Sequence, residues 1–456
     1  AVHKSSPARI SVLSGTARGG LMSEDNDALI HQAKQVLDFN WTGDYTKPGP
    51  RLYPHQWSWD SALIAIGYAH YDREKAEKEL RHLFDAQWKN GLVPQIVFNP
   101  NLHNYFPGAG FWHADESPDA PEEHRTSGVV LPPVHATAVL LIHRNSGDGA
   151  KDFLQYAFPK LKAWHEFLYR ERDPEGEGLV YIRHPWESGM DNSPVWDSIM
   201  ERMQLSPEEI PSYHRADTHA VSSQDRPTSA SYDRFAYLVK FFAAREYGEA
   251  EIRKDCPFLV QDVLFNSLLC RSGKDLAEIA RILGEDPSPF EENARRTAEA
   301  INEKLWDEER GIYVDYDLVA DRRLQVYFTP NFSPLFAGIP DEERAKRMVE
   351  KMETPNYGLS DENMTPLPSY DVHGYGFSPV QYWRGPVWLN INWFMMRGLA
   401  DYGYDVQAKR LRQTIVDLCK NAGFNEYFDP FDGSAHGSDF FSWSAALCLD
   451  VLMDSE

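Results

Sequence analysis

Residues 386–403 read PVWLNINWFMMRGLADYG, and residues 438–453 read SDFFSWSAALCLDVLM. Both segments are apolar around most of the circumference of a helix, which is typical of helices that pack on two sides. We therefore expect both to be inner helices of a helical fold.

Helical periodicity extends outward from these two segments over most of the chain. It predicts ten further helices, at 26–39, 57–71, 73–88, 133–145, 151–171, 229–247, 257–283, 288–306, 341–353 and 405–421. Paired helices joined by long loops predict an all-α toroid, an (α/α)6 barrel of six inner and six outer helices, whose loops form an active-site cleft. Because no linker or low-complexity tract interrupts the sequence, residues 1–456 are predicted to form one domain. Its longest stretch without periodicity, 204–227, is predicted to be a lid loop.

Charge and composition exclude several classes of protein. The chain has 46 Lys and Arg residues against 69 Asp and Glu residues, and this net charge of −23 would repel nucleic acid and anionic membrane surfaces. No apolar run approaches the roughly 20 residues that span a bilayer. The four cysteines form no C-x-x-C pair and the opening AVHKSSPARISVLSGTARGG has no apolar signal core, so we expect a cytoplasmic protein with reduced, buried thiols. Homo-oligomerisation remains open.

Aromatic residues make up 13% of the chain, and many tryptophans adjoin Gly, Pro, Asp or Asn rather than apolar runs. A tryptophan in a polar loop suits the C–H face of a sugar ring and its hydroxyl rim. The alternative is that each tryptophan simply packs in the core. A small carbohydrate is therefore the predicted partner.

Four clusters combine aromatic, turn-forming and acidic or amide residues: WSWD at 57–60, HPWESGMDNSP at 184–194, YWRGPVW at 382–388 and NEYFDP at 425–430. None has the spacing of a zinc site, an EF-hand, a P-loop or a nucleophile elbow, so neither a metal nor a cofactor is predicted. Paired carboxylates remain, and such pairs cleave glycosidic bonds.

Asp191 suits the role of a general acid in such a pair. Its neighbours Trp186, Pro194 and Trp196 would exclude water, which raises the pKa of a carboxyl group and keeps its proton on. Glu187 is the alternative acid if Asp191 is solvated.

The runs WESGMDNSP at 186–194, YWRGP at 382–386 and EYFDP at 426–430 resemble glycoside hydrolase family 63, and within it the single-domain mannosylglycerate and glucosylglycerate hydrolases. The resemblance implies an (α/α)6 toroid and an inverting mechanism, with Asp191 as the general acid and Glu426 as the general base. Asp429 and Asp432 are alternative bases. An inverting pair leaves room for a water, with roughly 6.5–9.5 Å between carboxyl groups.

The resemblance also implies residues that bind the substrate. Trp59 and Asp60 would hold sugar hydroxyls, as would Glu187, and Arg226 and Tyr232 would line the sugar subsite. Asp60 could instead begin a helix, and Arg226 could form an ordinary loop ion pair. Further predicted substrate-binding residues are Tyr45, Gln95, Trp186, Gly189, Tyr382, Trp383, Arg384 and Trp388.

The predicted activity is that of an inverting α-glycosidase acting on a small α-glucoside or α-mannoside, first of all glucosylglycerate or mannosylglycerate. A glycerate carboxylate needs Arg and Tyr donors, for which the candidates are Arg215, Arg226, Arg384, Tyr45, Tyr213 and Tyr382. Where glycerate-specific members carry Gln before a Phe-x-Trp run, this chain has Asp439, which would repel a carboxylate unless an Arg intervened. The alternatives are an exo-α-glucosidase acting on short neutral oligosaccharides that contain glucose, and a non-catalytic carbohydrate-binding protein.

Overall fold

The structure is a computed structural model that describes residues 21–454. The opening segment, on which the expectation of no signal core depends, lies outside these residues, as do residues 455 and 456. No helix in the described part of the chain is long and apolar enough to cross a membrane.

The described residues form sixteen α-helices, twelve of which have eleven residues or more. In chain order they are α1 (Leu21–Asn40), α2 (Ser58–Tyr68), α3 (Arg73–Asp85), α4 (Ala109–Trp112), α5 (His135–Ser146), α6 (Lys151–Arg172), α7 (Asp197–Arg202), α8 (Asp217–Ala220), α9 (Ser229–Ala243), α10 (Glu249–Asp255), α11 (Val263–Leu283), α12 (Ser288–Ala300), α13 (Glu342–Met352), α14 (Leu389–Asp401), α15 (Asp405–Ala422) and α16 (Ser442–Met453).

Eleven of the twelve long helices, together with the 3-10 helix Thr329–Leu335, alternate between an outer and an inner ring. The inner ring closes through contacts of α2 with α5, α5 with α11, α11 with the 3-10 helix Thr329–Leu335, that helix with α14, α14 with α16, and α16 with α2. The helices α1, α3, α6, α12, α13 and α15 alternate with them along the chain and form the outer ring. Every residue of α2 is buried, as expected for a helix packed on both sides. The predicted (α/α)6 barrel is therefore confirmed.

The close approach of two inner helices explains why residue 67 is a glycine. A Cβ atom on Gly67 of α2 would lie 2.5 Å from the Cα atom of Ala446 in α16. Only glycine allows the two backbones to come this close. The predicted inner position of both C-terminal apolar segments is thus confirmed, as α14 and α16.

The ring corrects the sequence prediction at one position. The helix predicted at 229–247 exists as α9, but it packs against α4 and the aromatic side chains of His184 and Trp186, in the excursion 173–262 between α6 and α11. Its expected place in the ring belongs to the 3-10 helix Thr329–Leu335. That helix is short and contains Pro330 and Pro334, so it carries no helical periodicity that a sequence search could detect.

Several inner helices begin later than predicted. Helix α11 starts at Val263 rather than 257, because the side chain of Asp262 caps it by accepting a hydrogen bond from the backbone N–H of Phe265 at 2.5 Å. Likewise α14 starts at Leu389 and α16 at Ser442, so the residues before them are loops.

Short antiparallel strand pairs brace these loops. They are β1 (Gln56–Trp57) with β2 (Ile96–Val97), β3 (Val260–Gln261) with β6 (Tyr316–Asp317), β6 with β7 (Arg322–Arg323), β4 (Trp306–Asp307) with β5 (Ile312–Tyr313), and β8 (Tyr427–Phe428) with β9 (Ala435–His436). Within segment 204–227 the structure has only α8 and the 3-10 turn Ser223–Asp225. That this segment moves as a lid stays a prediction, as does the single-domain organisation of residues 1–456.

Candidate active site

A pocket of about 710 Å³, including the part open to solvent, lies where the inner helices begin. Its walls come from loops that lead into α2, α5, α14 and α16, and from the excursion before α11. Twelve of the predicted site residues line it, namely Trp59, Asp60, Gln95, Trp186, Gly189, Asp191, Arg226, Tyr232, Tyr382, Trp383, Trp388 and Glu426. The fold thus brings together residues that are far apart in the sequence.

Asp191 follows the 3-10 turn Pro185–Ser188 at one wall of the pocket. Gly189 ends that turn with a φ of 73°, a left-handed conformation that suits glycine. The indole N–H of Trp196 donates to the backbone carbonyl of Met190 at 2.9 Å, which fixes the chain beside Asp191. Burial raises the pKa of Asp191 to about 7, and although Arg226 opposes this shift, Glu426 adds to it. The carboxyl group is therefore poised to hold its proton near neutral pH.

Glu426 precedes strand β8 and is 1% exposed. The Tyr53 hydroxyl donates to its Oε1 atom at 2.5 Å, the backbone N–H of Ser438 donates to Oε2 at 2.9 Å, and Arg226 Nη1 lies 3.7 Å from Oε1. Burial raises the pKa of Glu426, while Arg226 and Tyr53 lower it. These donors favour the ionised carboxylate, whereas no side chain among the described residues donates a hydrogen bond to the Asp191 carboxyl group. The pKa of Glu426 is raised overall, as is that of Asp191, but only Glu426 has a side-chain donor that favours its charged form, which suits a base opposite an acid.

The alternative bases are turn residues. Asp429 accepts a hydrogen bond from the backbone N–H of Phe431 at 2.7 Å, and Asp432 accepts one from that of Ser434 at 2.8 Å. Neither belongs to the pocket lining. Their geometry favours Glu426 as the base.

Arg226 lies at the centre of a network that sequence reasoning found only in part. Its Nη1 atom donates to the Tyr53 hydroxyl at 3.0 Å, its Nε atom donates to Asp217 at 3.1 Å, and its guanidinium lies 4.0 Å from the ring centroid of Tyr382. Arg215 donates two further hydrogen bonds to Asp217. Arg226 therefore remains charged at the pocket wall, where its ion pair with Asp217 holds it in place and the Glu426 carboxylate lies beside it.

Aromatic and unpaired polar groups complete the pocket. The rings of Trp383 and Trp388 stack in parallel, with centroids 3.8 Å apart. Within the described residues, Gln95 Oε1, Trp383 Nε1 and Trp443 Nε1 are buried and have no hydrogen-bond partner. These three residues line the pocket, so their polar atoms are available to a polar ligand.

Three predicted substrate-binding residues lie elsewhere. Tyr45 donates its hydroxyl to the carbonyl of Pro54 at 2.8 Å, outside the pocket lining. Arg384 forms a two-pronged ion pair with Asp197, at 2.8 and 2.7 Å, and so clamps the segment after Asp191 instead of facing a ligand.

Glu187 is the third residue, and its prediction as a hydroxyl-binding group or alternative acid is wrong. The side chain is fully buried and forms two hydrogen bonds with Arg172, each at 2.9 Å. Although burial alone would raise its pKa, Arg172 and Arg183 lower it, so Glu187 is an anion below the pocket wall. A carboxylate next to a motif looks catalytic in sequence, but its partners are visible only in the fold.

Sequence reasoning assigned no role in the site to eight residues that line the pocket: Leu52, Tyr53, Trp57, Tyr105, Leu131, Asp217, Phe441 and Trp443. Trp57 belongs to a cluster noted in the sequence and Asp217 to the predicted lid, but nothing in the local pattern around Tyr53 indicates its contact with Glu426, 373 residues away. Of the candidate carboxylate donors, Tyr213 donates to Asp233 at 2.7 Å and Arg215 to Asp217.

Asp439, which was expected to repel a glycerate carboxylate, lies outside the pocket lining and pairs with an arginine. Arg51 Nη2 donates to Asp439 Oδ2 at 2.9 Å, and both side chains are exposed. Arg51 therefore offsets the charge that would repel a carboxylate. Among residues 21–454 there is no group of three or more His, Cys, Asp and Glu side chains that could hold a metal ion.

Comparison with known proteins identifies the family. A family model described as "Mannosylglycerate hydrolase MGH1-like glycoside hydrolase domain" matches residues 53–444, which include every residue that lines the pocket except Leu52. The chain belongs to the MGH1-like glycoside hydrolases. This MGH1-like enzyme is 64% identical to the mannosylglycerate hydrolase of Rubrobacter radiotolerans, over 95% of this chain and all of that protein. It is 35% identical to the glucosylglycerate hydrolase of Mycolicibacterium hassiacum, over 93% of this chain and 97% of that protein.

Solved structures agree with the family assignment. The crystal structure of the family 63 mannosylglycerate hydrolase of Thermus thermophilus in complex with Tris and D-glycerate superposes on this MGH1-like chain with a TM-score of 0.86 at 42% identity. The match covers 92% of this chain and 99% of that one. The protein is therefore a glycosidase of glycoside hydrolase family 63 with the (α/α)6 fold that the sequence predicted.

Proposed function

We propose that this glycosidase hydrolyses mannosylglycerate or glucosylglycerate with inversion, using Asp191 as the general acid and Glu426 as the general base. The observation that carries the assignment of roles is the contrast between two carboxyl groups in one pocket: Asp191 has a pKa raised to about 7, and Glu426 accepts hydrogen bonds from Tyr53 and Ser438. Protonated Asp191 gives its proton to the glycosidic oxygen, while Glu426 takes a proton from the water that attacks the anomeric carbon from the opposite face.

The choice of substrate is supported by the relatives and by the charges around the pocket. Relatives at 64% and 35% identity are named mannosylglycerate and glucosylglycerate hydrolases. Arg226 provides a positive charge in the pocket, and Tyr105 and Tyr232 provide hydroxyl groups near it. A carboxylate is held best by such a fixed guanidinium with hydroxyl donors. Outside the pocket lining, Arg51 offsets the charge of Asp439.

The experiment compares Asp191→Asn and Glu426→Gln with Asp432→Asn, a control that removes a nearby carboxylate outside the pocket. With either α-glycoside of glycerate as substrate, we expect each of the first two variants to lose about 10²- to 10⁴-fold in kcat and to keep sugar binding in calorimetry. Asp432→Asn should retain wild-type kcat. Proton NMR of the first product should show the β-anomer.

Three results would contradict the proposal. Wild-type enzyme that binds sugar but forms no product would indicate a binding protein. An α-anomer as the first product would indicate retention, and an active Glu426→Gln variant would exclude that residue as the base.

We further propose a cytoplasmic location, supported by the four buried cysteines, Cys256, Cys270, Cys419 and Cys448, all of which are free thiols.

A further inference from the structure

Four buried ionic side chains lie below the turn that carries Asp191. Arg172 pairs with Glu187 and, through Nε at 2.9 Å, with Glu249. Arg183 Nη2 lies 3.1 Å from the same Glu249 oxygen. All four side chains are 5% exposed or less, and the two positive charges balance the two negative charges. We refer to Arg172, Arg183, Glu187 and Glu249 as the buried ion quartet.

Glu187 is the member of the quartet that connects it to the pocket. Its carboxylate accepts two hydrogen bonds from Arg172, one from the backbone N–H of Arg183 at 2.7 Å and one from that of Val130 at 3.2 Å. Four donors from three separate parts of the chain saturate the carboxylate. One is at the end of α6, one begins the segment that turns toward Asp191, and one is in the loop before α5.

Two of those segments form parts of the pocket wall. Leu131, next to Val130, lines the pocket, and the carbonyl of Val129 accepts a hydrogen bond from the backbone N–H of Gln95 at 2.7 Å. In the other segment, the 3-10 turn that contains Glu187 leads directly to Gly189 and Asp191. Glu187 therefore links the wall that carries Asp191 to the wall that carries Gln95, beside a second link from Arg183 Nη2 to the carbonyl of Gly128 at 3.0 Å.

We propose that Glu187 is a positioning residue for catalysis, which holds the Asp191 turn against the Gln95 wall through the buried ion quartet. This inference rests on the proposed role of Asp191 as the general acid. Glu187 does not touch the substrate. It therefore affects the reaction only through the position of the Asp191 carboxyl group and the exclusion of water from it. A misplacement of about 1 Å at a reacting group can cost 10²-fold in rate, and water that enters around a buried carboxyl group lowers its pKa.

Glu249 supplies a matched control within the same quartet. It pairs with Arg172 and Arg183, but it contacts neither the Asp191 turn nor the loop at Val130. Loss of charge at either glutamate leaves a buried arginine partly unpaired and lowers stability. Only loss of the carboxylate at Glu187 also weakens the direct hydrogen bonds from the backbone N–H groups of Val130 and Arg183.

The test measures kcat, KM, the pH profile of kcat and the melting temperature for Glu187→Gln and Glu249→Gln. We expect Glu187→Gln to lose about 10- to 100-fold in kcat with little change in KM, and the alkaline limb of its profile to move to lower pH. Glu249→Gln should melt at a similarly reduced temperature but keep the wild-type alkaline limb. Equal kcat values and equal alkaline limbs for the two variants would overturn the proposal.

Two further variants keep the result decisive. If Glu187→Gln does not fold, Arg172→Lys retains the charge of the quartet but loses one of the two parallel hydrogen bonds to Glu187, and the same criteria apply to it. Asp191→Asn separates this inference from the proposed function. If Asp191→Asn is inactive while Glu187→Gln behaves like Glu249→Gln, only the positioning role fails; if Asp191→Asn is active, the proposed function fails.

Discussion

Removing the Tyr53 hydroxyl group should change the pH at which the enzyme becomes active. That oxygen donates to Glu426 Oε1 at 2.5 Å and accepts from Arg226 Nη1 at 3.0 Å. In Tyr53→Phe the carboxylate loses one of its donors, so its protonated form is relatively favoured and its pKa rises. A base works only when ionised, so the acid limb of kcat/KM should move to higher pH.

The size of the pKa shift of Glu426 follows from the energy of the hydrogen bond that is lost. A hydrogen bond to a charged group contributes roughly 1.5–3 kcal/mol, and one pKa unit corresponds to about 1.36 kcal/mol, so the loss alone would raise the pKa of Glu426 by about one to two units. Arg226, 3.7 Å from the carboxylate, remains and lowers the pKa. We therefore expect a shift near the lower end, about one unit.

The assay is the pH dependence of initial rates, with a glycerate α-glycoside and with a neutral aryl α-glycoside, so that titration of glycerate itself does not contribute. Tyr382→Phe is the matched control, because the Tyr382 hydroxyl lies 3.2 Å from that of Tyr53 and lines the same pocket without bonding to Glu426. An acid limb that stays at its wild-type pH in Tyr53→Phe, or moves equally in Tyr382→Phe, would refute this account of the base.

Three further predictions concern the acid, the turn that ends at Gly189 and the exposed ion pair of Arg51 with Asp439. Because the pKa of Asp191 is raised to about 7, kcat/KM of the wild-type enzyme should fall as pH rises above that value and the acid loses its proton; rates that stay constant to about pH 9 would contradict this. A Cβ atom on Gly189 would lie 2.5 Å from the Trp59 ring, so Gly189→Ala should lower the free energy of unfolding in urea by about 2 kcal/mol. Gly284→Ala is the control, because Gly284 has a φ of 76° and no atom lies within 4 Å of the added Cβ. It introduces the backbone strain without the clash, so it should lower the free energy of unfolding by less than Gly189→Ala. Equal decreases in the two variants would contradict the clash with Trp59. Arg51→Ala should raise KM for the glycerate substrate about two- to fivefold, and the double variant with Asp439→Asn should restore it, while KM for a neutral glycoside stays constant; a lasting defect in the double variant would show that Arg51 acts in another way.

Helical periodicity was sufficient for most of the fold, because long helices repeat their apolar residues regularly. It failed at Thr329–Leu335, where a short 3-10 helix fills an inner position with a packing role but no periodic pattern. It also placed helix starts too early at α11 and α16, since aromatic residues before the cap continue the apolar run into a loop.

The residues of the site also divide into those that the sequence predicts and those that it does not. Asp191 and Glu426 stand in motifs and could be predicted from them. Tyr53 and Asp217 acquire their roles from contacts across the fold, with Glu426 and Arg226, which leave no local signal. Glu187 shows the opposite error, because its arginine partners lie 15 and 4 residues upstream and look unremarkable in sequence.

The tryptophans that line the pocket also allow ligand binding to be detected by intrinsic fluorescence. Six of the thirteen tryptophans line the pocket, and the Trp383 and Trp388 rings are 4° from parallel. Occupation by a sugar would replace solvent beside these indoles and alter their emission. Ligand occupancy can then be followed by intrinsic fluorescence in variants that no longer turn over, without any label.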